Sequence, residues 1–521
     1  MLLSLTKPGQ TTKTAVTDCV SFPAPVKGLR LFDNITAIPD GGALVLDNWF
    51  PQANGARVRR GLLERNIGMT KPVKSIGVYK SGAMNKAFAV SGDASGDSIY
   101  DVSASGAVGA AAVSGLTAAV WNWQIFTSSG GQFLIASGAG NAPRIFNGTS
   151  WAAMSATALT LTKISATWAH ASRLWAVESG TTNAWYLPTD SIGGAFVKFP
   201  LVGEFRLGGN LLVGGEWSND SGVTPSSRCV FVSDSGDVVV YEGTDPASAT
   251  TWQKIGVYRI AKPCGINCLI KLGGDLGILT EDGLVAMSQV MQLDSAALAN
   301  ESLSKDILPL WRTAVQSTNT ALWQIVRRDA EGMALVITGA NLFDGAPVIF
   351  VSNLQTGGWA TWSGWAASCM AVIGNELLVG LADGRVMAGE NGGSDDGMPY
   401  SVSYLGPSRM KTGKLLTAKL MRAVIRGIDN FAPRVAALFD YSEVLPLPPS
   451  AGISTGGAKW DVALWDDAKW GVERRIYQPW QGARGRGAAV APCVMFTIAQ
   501  EQAPDIELLR SDITVEVGAI I

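Results

Sequence analysis

The stretch Ile278-Leu-Thr-Glu-Asp-Gly-Leu-Val-Ala-Met287 sets two short apolar runs on either side of Asp282-Gly283. Gly accepts the positive φ a tight hairpin needs and Asp tolerates it, so the stretch reads as two strands and a turn. The figure returns at Leu377-Leu-Val-Gly-Leu-Ala-Asp-Gly-Arg-Val-Met-Ala388 and at Val230-Phe-Val-Ser-Asp-Ser-Gly-Asp-Val-Val-Val-Tyr241, with a looser copy at Ile325-Val-Arg-Arg-Asp-Ala-Glu-Gly-Met-Ala-Leu-Val-Ile337. Weaker copies precede these. The turn glycines are Gly96, Gly140, Gly180, Gly236, Gly283, Gly332 and Gly384, at successive spacings of 44, 40, 56, 47, 49 and 52 residues.

A repeat of roughly 40–50 residues with a central hairpin is the sequence sign of a β-propeller. One four-stranded blade cannot bury both faces alone, but a ring of blades can. The sequence therefore predicts a mainly β chain with a propeller of six or seven blades over residues 70–395. A β-sandwich or stacked barrel would also supply Gly-rich hairpins and is the alternative.

Composition bounds the rest. At 521 residues the chain exceeds what one core holds, so two or three domains are expected. Charged residues are 16%, against about 25% in ordinary domains, which suits a surface packed against partners. The net charge of −2 gives no global basic footprint. A conduit for nucleic acid need not be basic, because strong phosphate contacts would retard passage. Cys19, Cys229, Cys264, Cys268, Cys369 and Cys493 are scattered and read as buried thiols. Cys264 and Cys268 lack the second close pair that a zinc site would need. There is no apolar run long enough to span a membrane, and Lys7 follows rather than precedes the apolar residues at the start, so neither a membrane span nor a signal peptide is expected.

Residues 1–27 read as an extended arm. Within 1–69, Trp49-Phe50-Pro51 sets two aromatics before a proline, and Arg57, Arg59 and Arg60 form a basic cluster. That cluster reads either as a contact for a partner's carboxylates or phosphate, or as a solvated strand edge. Tryptophans recur near the strands, among them Trp121, Trp123, Trp168, Trp175 and Trp252. Blade-on-blade packing explains them better than a sugar-binding stripe. A short helical insertion near 287–315 is predicted from the spacing of Leu303, Ile307, Leu310 and Trp311, outside the blade and facing a subunit contact. Glu390-Asn-Gly-Gly-Ser-Asp-Asp-Gly397 reads as a linker. Residues 398–521 read as a C-terminal β domain, with Trp460, Val462 and Leu464 on one face of a strand and Ile513–Val517 alternating cleanly.

The chemistry readings are negative. No Gly-x-Ser-x-Gly elbow stands between strand and helix, and the only imidazole, His170, reads as structural. No phosphate-binding loop ending in Gly-Lys-Ser/Thr occurs. Asp234, Asp237, Glu281 and Asp282 could pair as carboxylates in a glycan hydrolase, but Asp recurs in these turns for backbone reasons. Asp93-Ala-Ser-Gly-Asp97 lacks the terminal acidic ligand of a calcium loop. The expectation is no catalytic residue, no cofactor and no metal.

The opening Phe32-Asp-Asn-Ile-Thr-Ala-Ile-Pro-Asp-Gly-Gly-Ala-Leu-Val-Leu-Asp-Asn-Trp-Phe-Pro51, followed by Val58-Arg-Arg-Gly61, resembles the start of tail hub or nozzle proteins of short-tailed, podovirus-like bacteriophages. The region Trp460–Trp470, with Trp480 and Gly485-Arg-Gly-Ala-Ala489, is similar to the end of the same group. The resemblance implies a structural virion protein of the tail, assembled in the host cytoplasm as a six-fold ring below the portal and adaptor. It implies a ring body from residues 1–69 and 398–521, a head-to-tail adaptor as partner, attached fibres or spikes, and passage of double-stranded DNA. Asp47, Asn48, Trp49, Phe50, Arg57, Arg59 and Arg60 become candidate assembly contacts. A conduit predicts a polar, acidic lumen; a receptor- or carbohydrate-binding propeller on the virion predicts aromatics at an exposed blade mouth.

Overall fold

A computed structural model describes residues 17–82, 84–219, 226–343, 345–411, 413–428, 433–450 and 474–520. The arm reading for residues 1–16 and the strand reading for Trp460–Trp470 lie outside the described residues. Among those described, seven small sheets surround one axis and a second β body lies beside them. Blades 1 to 4 are four-stranded antiparallel sheets in chain order. Blade 1 is Val73–Ser81, Met84–Asp93, Gly96–Asp101 and Val113–Leu116; blade 2 is Asn122–Ser128, Gly131–Ser137, Arg144–Phe146 and Trp151–Ala153. Blade 3 is Ile164–His170, Arg173–Glu178, Asn183–Tyr186 and Val197–Pro200; blade 4 is Leu211–Asn219, Ser226–Ser233, Asp237–Gly243 and Trp252–Arg259. The chain is a seven-bladed β-propeller with an appended β body.

Blade 5 has three strands, Leu269–Leu272, Asp275–Thr280 and Gly283–Ala286, and helices follow where a fourth would run. Asp294 caps the helix Ser295–Glu301 by accepting from the Ala296 and Ala297 N–H groups at 3.0 and 2.9 Å. The helix Leu308–Ser317 starts with a proline in its first turn. Trp311 on it is fully buried, stacks on Phe350 of blade 6 at 5.5 Å and donates to the Thr280 carbonyl. Asp306 meets Arg30 at 2.9 Å. The insertion packs inward along one face and leaves Leu303 and much of the helix Ser295–Glu301 exposed on the other. Its apolar residues fill the gap between blades 5 and 6.

Blade 6 is Gln324–Arg328, Met333–Phe343, Ala346–Asn353 and Trp359–Ser363. Blade 7 takes Ala367–Ile373, Glu376–Leu381 and Val386–Gly389 from the end of the series, and its outer strand from Leu62–Ile67. That strand was expected in the ring body. It belongs to the propeller because residue 390 onward turns into the second body and leaves blade 7 one strand short. Six of the seven turn glycines lie between the second and third strands of a blade; Gly332 lies between the first and second strands of blade 6. The equivalent turn in blade 6 centres on Gly345, at φ +79°.

The second body is built from both ends of the described chain. Ile506–Ile520 pairs with Thr17–Pro23 and Ala56–Val58 on one side and with Lys414–Gly427 on the other. Facing it, Val45–Asp47, Tyr400–Leu405, Ala489–Ile498 and Arg434–Phe439 continue the sheet of blade 6 outward from Trp359–Ser363. Met421, Ile425, Ile513 and Val515 from the first sheet share one core with Val490, Val494 and Phe496 from the second.

Tryptophans lock neighbouring blades over glycines. A Cβ on Gly77 would stand 2.1 Å from the Trp123 ring, and one on Gly214 would stand 2.4 Å from Trp168. Trp175 of blade 3 stacks on Trp252 of blade 4 at 5.7 Å. Such close packing tolerates no added volume. Gly77→Ala is expected to destabilise the protein by about 1–3 kcal/mol in urea unfolding. Gly109→Ala, where a Cβ meets open space, is expected to change stability by less than about 0.5 kcal/mol.

Candidate functional site

The charged residues singled out by the sequence converge where the propeller meets the second body. The strands Val45–Asp47, Trp49–Pro51 and Ala56–Val58 run between blade 6 and the body sheets. Asn48 breaks the line in a left-handed conformation, φ +63°, and its amide reaches Ser363 and the Ser401 carbonyl. Arg59 is fully buried. Its Nε donates to Asn48 Oδ1 at 2.6 Å, Nη1 to the Arg60 carbonyl and Asp395 Oδ1, and Nη2 to the Ser363 carbonyl and Asp395 Oδ2 at 2.6 Å. All five guanidinium donors are used. The Tyr400 ring lies 3.9 Å from its Cζ and the Trp365 ring 5.0 Å.

Arg57 holds Glu331 of blade 6 and Glu390 just past blade 7, and lies over Phe50. Trp49 and Phe50 are buried. Asp47 accepts from Ser363 Oγ at 2.5 Å and Thr361 Oγ1 at 2.9 Å, and burial pushes its carboxyl up to about 6. Asp47, Asn48, Trp49, Phe50, Arg57 and Arg59 thus point into their own chain. They act as internal staples, because the strand that carries them is covered by blade 6 on one side and the body on the other. Arg60 donates its N–H to Glu390 at 2.8 Å, and with Phe50, Arg57, Gln52, Arg426 and Glu507 it lines a cleft of about 560 Å³. Sequence reasoning missed Glu390 and Asp395. The only available signal was acid in a turn-rich stretch.

A second cavity, about 720 Å³, runs along the propeller axis and is lined by the first strand of every blade. Much of its polar lining stitches blades together. Gln324 binds both the N–H and the carbonyl of Met370, Asn122 accepts from Thr167, and Asn267 donates to the Trp121 carbonyl. Charge enters through Glu216, 3.3 Å from Lys271, and through Arg327, which donates to the Lys271 carbonyl.

His170, Ser227 and Glu216 come together beside this cavity. Ser227 Oγ donates to Glu216 at 2.8 Å and lies 3.3 Å from His170 Nδ1, while Nε2 is 3.3 Å from the Gly243 carbonyl. A relay needs serine and acid on opposite ring nitrogens. Here both share the Nδ1 side, and burial lowers the imidazole's proton affinity. The turn carboxylates are engaged within the fold. Asp237 accepts from Leu207 N–H and Asp234 from Asn210 N–H, while Glu281 accepts from Thr320. Asp93 is held by Lys71 and Ser95, and Asp97 by Trp121 and Lys74. Among the described residues no three His, Cys, Asp or Glu side chains stand where they could share a metal. Cys264 and Cys268 are buried with thiol pKa values raised, Cys268 to about 12. Cys19 was read as buried but is exposed, because it sits on the outer face of an edge strand.

No protein-family model and no curated protein sequence matches the chain. Among solved structures it is similar to BamB from Moraxella catarrhalis, at 15% identity over 67% of this chain and 95% of that one, with a TM-score of 0.35. It is also similar to BBS1N in a complex with ARL6DN, at 11% over 64% and 97% with a TM-score of 0.39. YCF48 bound to D1 peptide matches at 10% over 67% and 96%, with a TM-score of 0.36. All three are β-propellers.

Arg59→Ala would strand Asp395 in the junction, so a loss of about 3–5 kcal/mol in chemical denaturation is expected, with partial recovery in the Arg59→Ala/Asp395→Asn double variant. Asp47 supplies a pH signature. Its folded pKa lies above the unfolded carboxylate value near 4, so its contribution is full below about pH 4 and fades as pH rises through about 6. Asp47→Asn is expected to remove about 1–3 kcal/mol of that pH dependence when stability is measured from pH 4 to 8.

Proposed function

We propose that this chain is a structural, non-catalytic virion protein: a subunit of the ring-shaped tail hub or nozzle of a short-tailed bacteriophage. Double-stranded DNA would pass through the ring, an adaptor would hold it above, and fibres or spikes would attach beside it. One observation carries the reading beyond the sequence resemblance. The opening segment on which the resemblance rests, Phe32–Pro51 with Val58–Gly61, supplies strands, the Arg59–Asp395 pair and the Arg60 N–H bond to Glu390 that fasten the propeller to the second body. A ring subunit needs two bodies held at a fixed angle, because a small error per subunit prevents closure. A buried junction in which every donor of Arg59 is engaged supports that geometry.

The axial cavity favours a second reading. At about 720 Å³ it falls in the size range of small-ligand pockets, and Glu216, Lys271 and Arg327 give it polar groups. A receptor- or carbohydrate-binding propeller would use it.

Light scattering on the purified protein, followed by class averages in electron microscopy, tests the first reading. A six-fold ring with a hole of about 20 Å or more, wide enough for a B-form duplex, is the expected outcome. A monomer that also fails to join purified portal–adaptor complexes would overturn it and move the weight to a free-standing binding propeller.

A further inference from the structure

The second body exposes two unlike surfaces on opposite sides of its two-sheet core. On one side the segment Glu443-Val-Leu-Pro-Leu-Pro-Pro449 lies along the outer face of the sheet containing Ala489–Ile498. Leu445 packs with Leu405, Cys493 and Met495, Arg434 Nη1 donates to the Leu447 carbonyl at 2.9 Å, and Thr497 Oγ1 donates to that of Pro449 at 2.5 Å. The segment is anchored, and its three prolines keep it extended. Val444 and Leu447 nonetheless point outward, 81% and 80% exposed. No other large apolar residue exceeds them among the described residues.

On the opposite side, the outer face of the sheet containing Lys414–Gly427 and Gln481–Gly487 carries Leu420, Ile476 and Trp480, 41%, 58% and 40% exposed. The Arg422 guanidinium lies 4.6 Å from the Trp480 ring centre. Arg484 and Arg486 are exposed, stand two residues apart and have no ion pair among the described residues, and the same holds for Glu443. The other cations of this face already have acids: Arg422 and Arg510 hold Asp512, Lys419 holds Glu516 and Arg426 holds Glu507. A face so interleaved with carboxylates suits a protein partner better than a polyanion.

Resting on the ring reading above, we propose that the Glu443–Pro449 segment of one copy docks on the Arg422–Trp480 face of the next. Val444 and Leu447 cover Trp480, Leu420 and Ile476, and Glu443 meets Arg484 and Arg486. Proline-framed apolar segments fit aromatic platforms with little ordering cost. The contact joins different surfaces on the two copies, which is the heterologous kind that closes rings.

The test uses the full-length chain, with oligomer mass followed by mass photometry across concentration. Val444→Glu/Leu447→Glu and Trp480→Ala are expected to weaken assembly by at least about 100-fold, with melting temperatures unchanged because all three positions are exposed. Glu443→Arg alone is expected to weaken it, and combination with Arg484→Glu/Arg486→Glu to restore it. In a Cys19→Ser background, Leu447→Cys with Trp480→Cys is expected to give an intermolecular disulfide ladder under mild oxidation. A wild-type ring that survives the double glutamate variant and gives no ladder overturns this contact and leaves the ring reading standing. A wild-type chain that never forms a ring, alone or on the portal–adaptor complex, removes the ring reading and this contact with it. Duplex binding abolished by Arg484→Glu/Arg486→Glu with assembly unchanged would also overturn it and assign the face to nucleic acid.

Discussion

The structure depends on a buried guanidinium. Arg59 has no contact with solvent, and a charge in that position persists only if every donor finds an acceptor and an opposite charge lies alongside. Its partners come from four places: Asn48 in the N-terminal strands, Ser363 at the outer edge of blade 6, Asp395 after blade 7, and Tyr400 at the start of the C-terminal strands. None of these segments can shift alone without leaving a buried polar group unpaired. Arg57 extends the constraint to blades 6 and 7 through Glu331 and Glu390. The rigidity of the junction follows from that satisfaction of charge more than from apolar area.

The propeller was legible because its signal is local. Turn chemistry at Asp282-Gly283 or Asp383-Gly384 needs only adjacent residues, and repetition at a blade's length makes it a fold statement. The errors fall where local chemistry cannot discriminate. Gly332 and Gly345 both follow acidic turn residues within blade 6, and nothing in either stretch says which pair of strands it joins. The closing strand Leu62–Ile67 pairs with Val386–Gly389, more than 300 residues away, so no periodicity reveals it. The helical insertion is legible from its spacing, but an apolar helical face says that it is covered and not by what; here Phe350 and the Thr280 carbonyl cover Trp311.

The junction was half legible. The run from Asp47 to Arg60 stood out as a charged and aromatic cluster, and it is the site where charge matters most. Its direction was misread because its acids, Glu390 and Asp395, sit in a Gly-, Ser- and Asp-rich stretch with the composition of a linker. Glu390 is only 4% exposed and Gly392–Ser394 are buried with it, so the first half of that stretch is core despite its composition. For His170 the geometry supplies what the sequence lacks: Nε2 is engaged by a backbone carbonyl, and serine and carboxylate crowd the other nitrogen.

The position of the ion pair follows from the path of the chain. The chain enters the propeller after Val58 and leaves it after Gly389, and both crossings pass through the junction. Arg59 stands on the first crossing and Asp395 on the second. An apolar pair there would bury as well, but would permit either strand to slide along the other, because apolar contact is non-directional. A bidentate guanidinium–carboxylate pair has one geometry. Asn48, held at positive φ between Asp47 and Trp49, then fixes which side chains of the entering strand face blade 6. Closure of blade 7 by Leu62–Ile67 begins three residues beyond Arg59, so the register set at the ion pair is carried directly into the strand that shuts the propeller. Propeller closure and attachment of the second body thus share the same few hydrogen bonds.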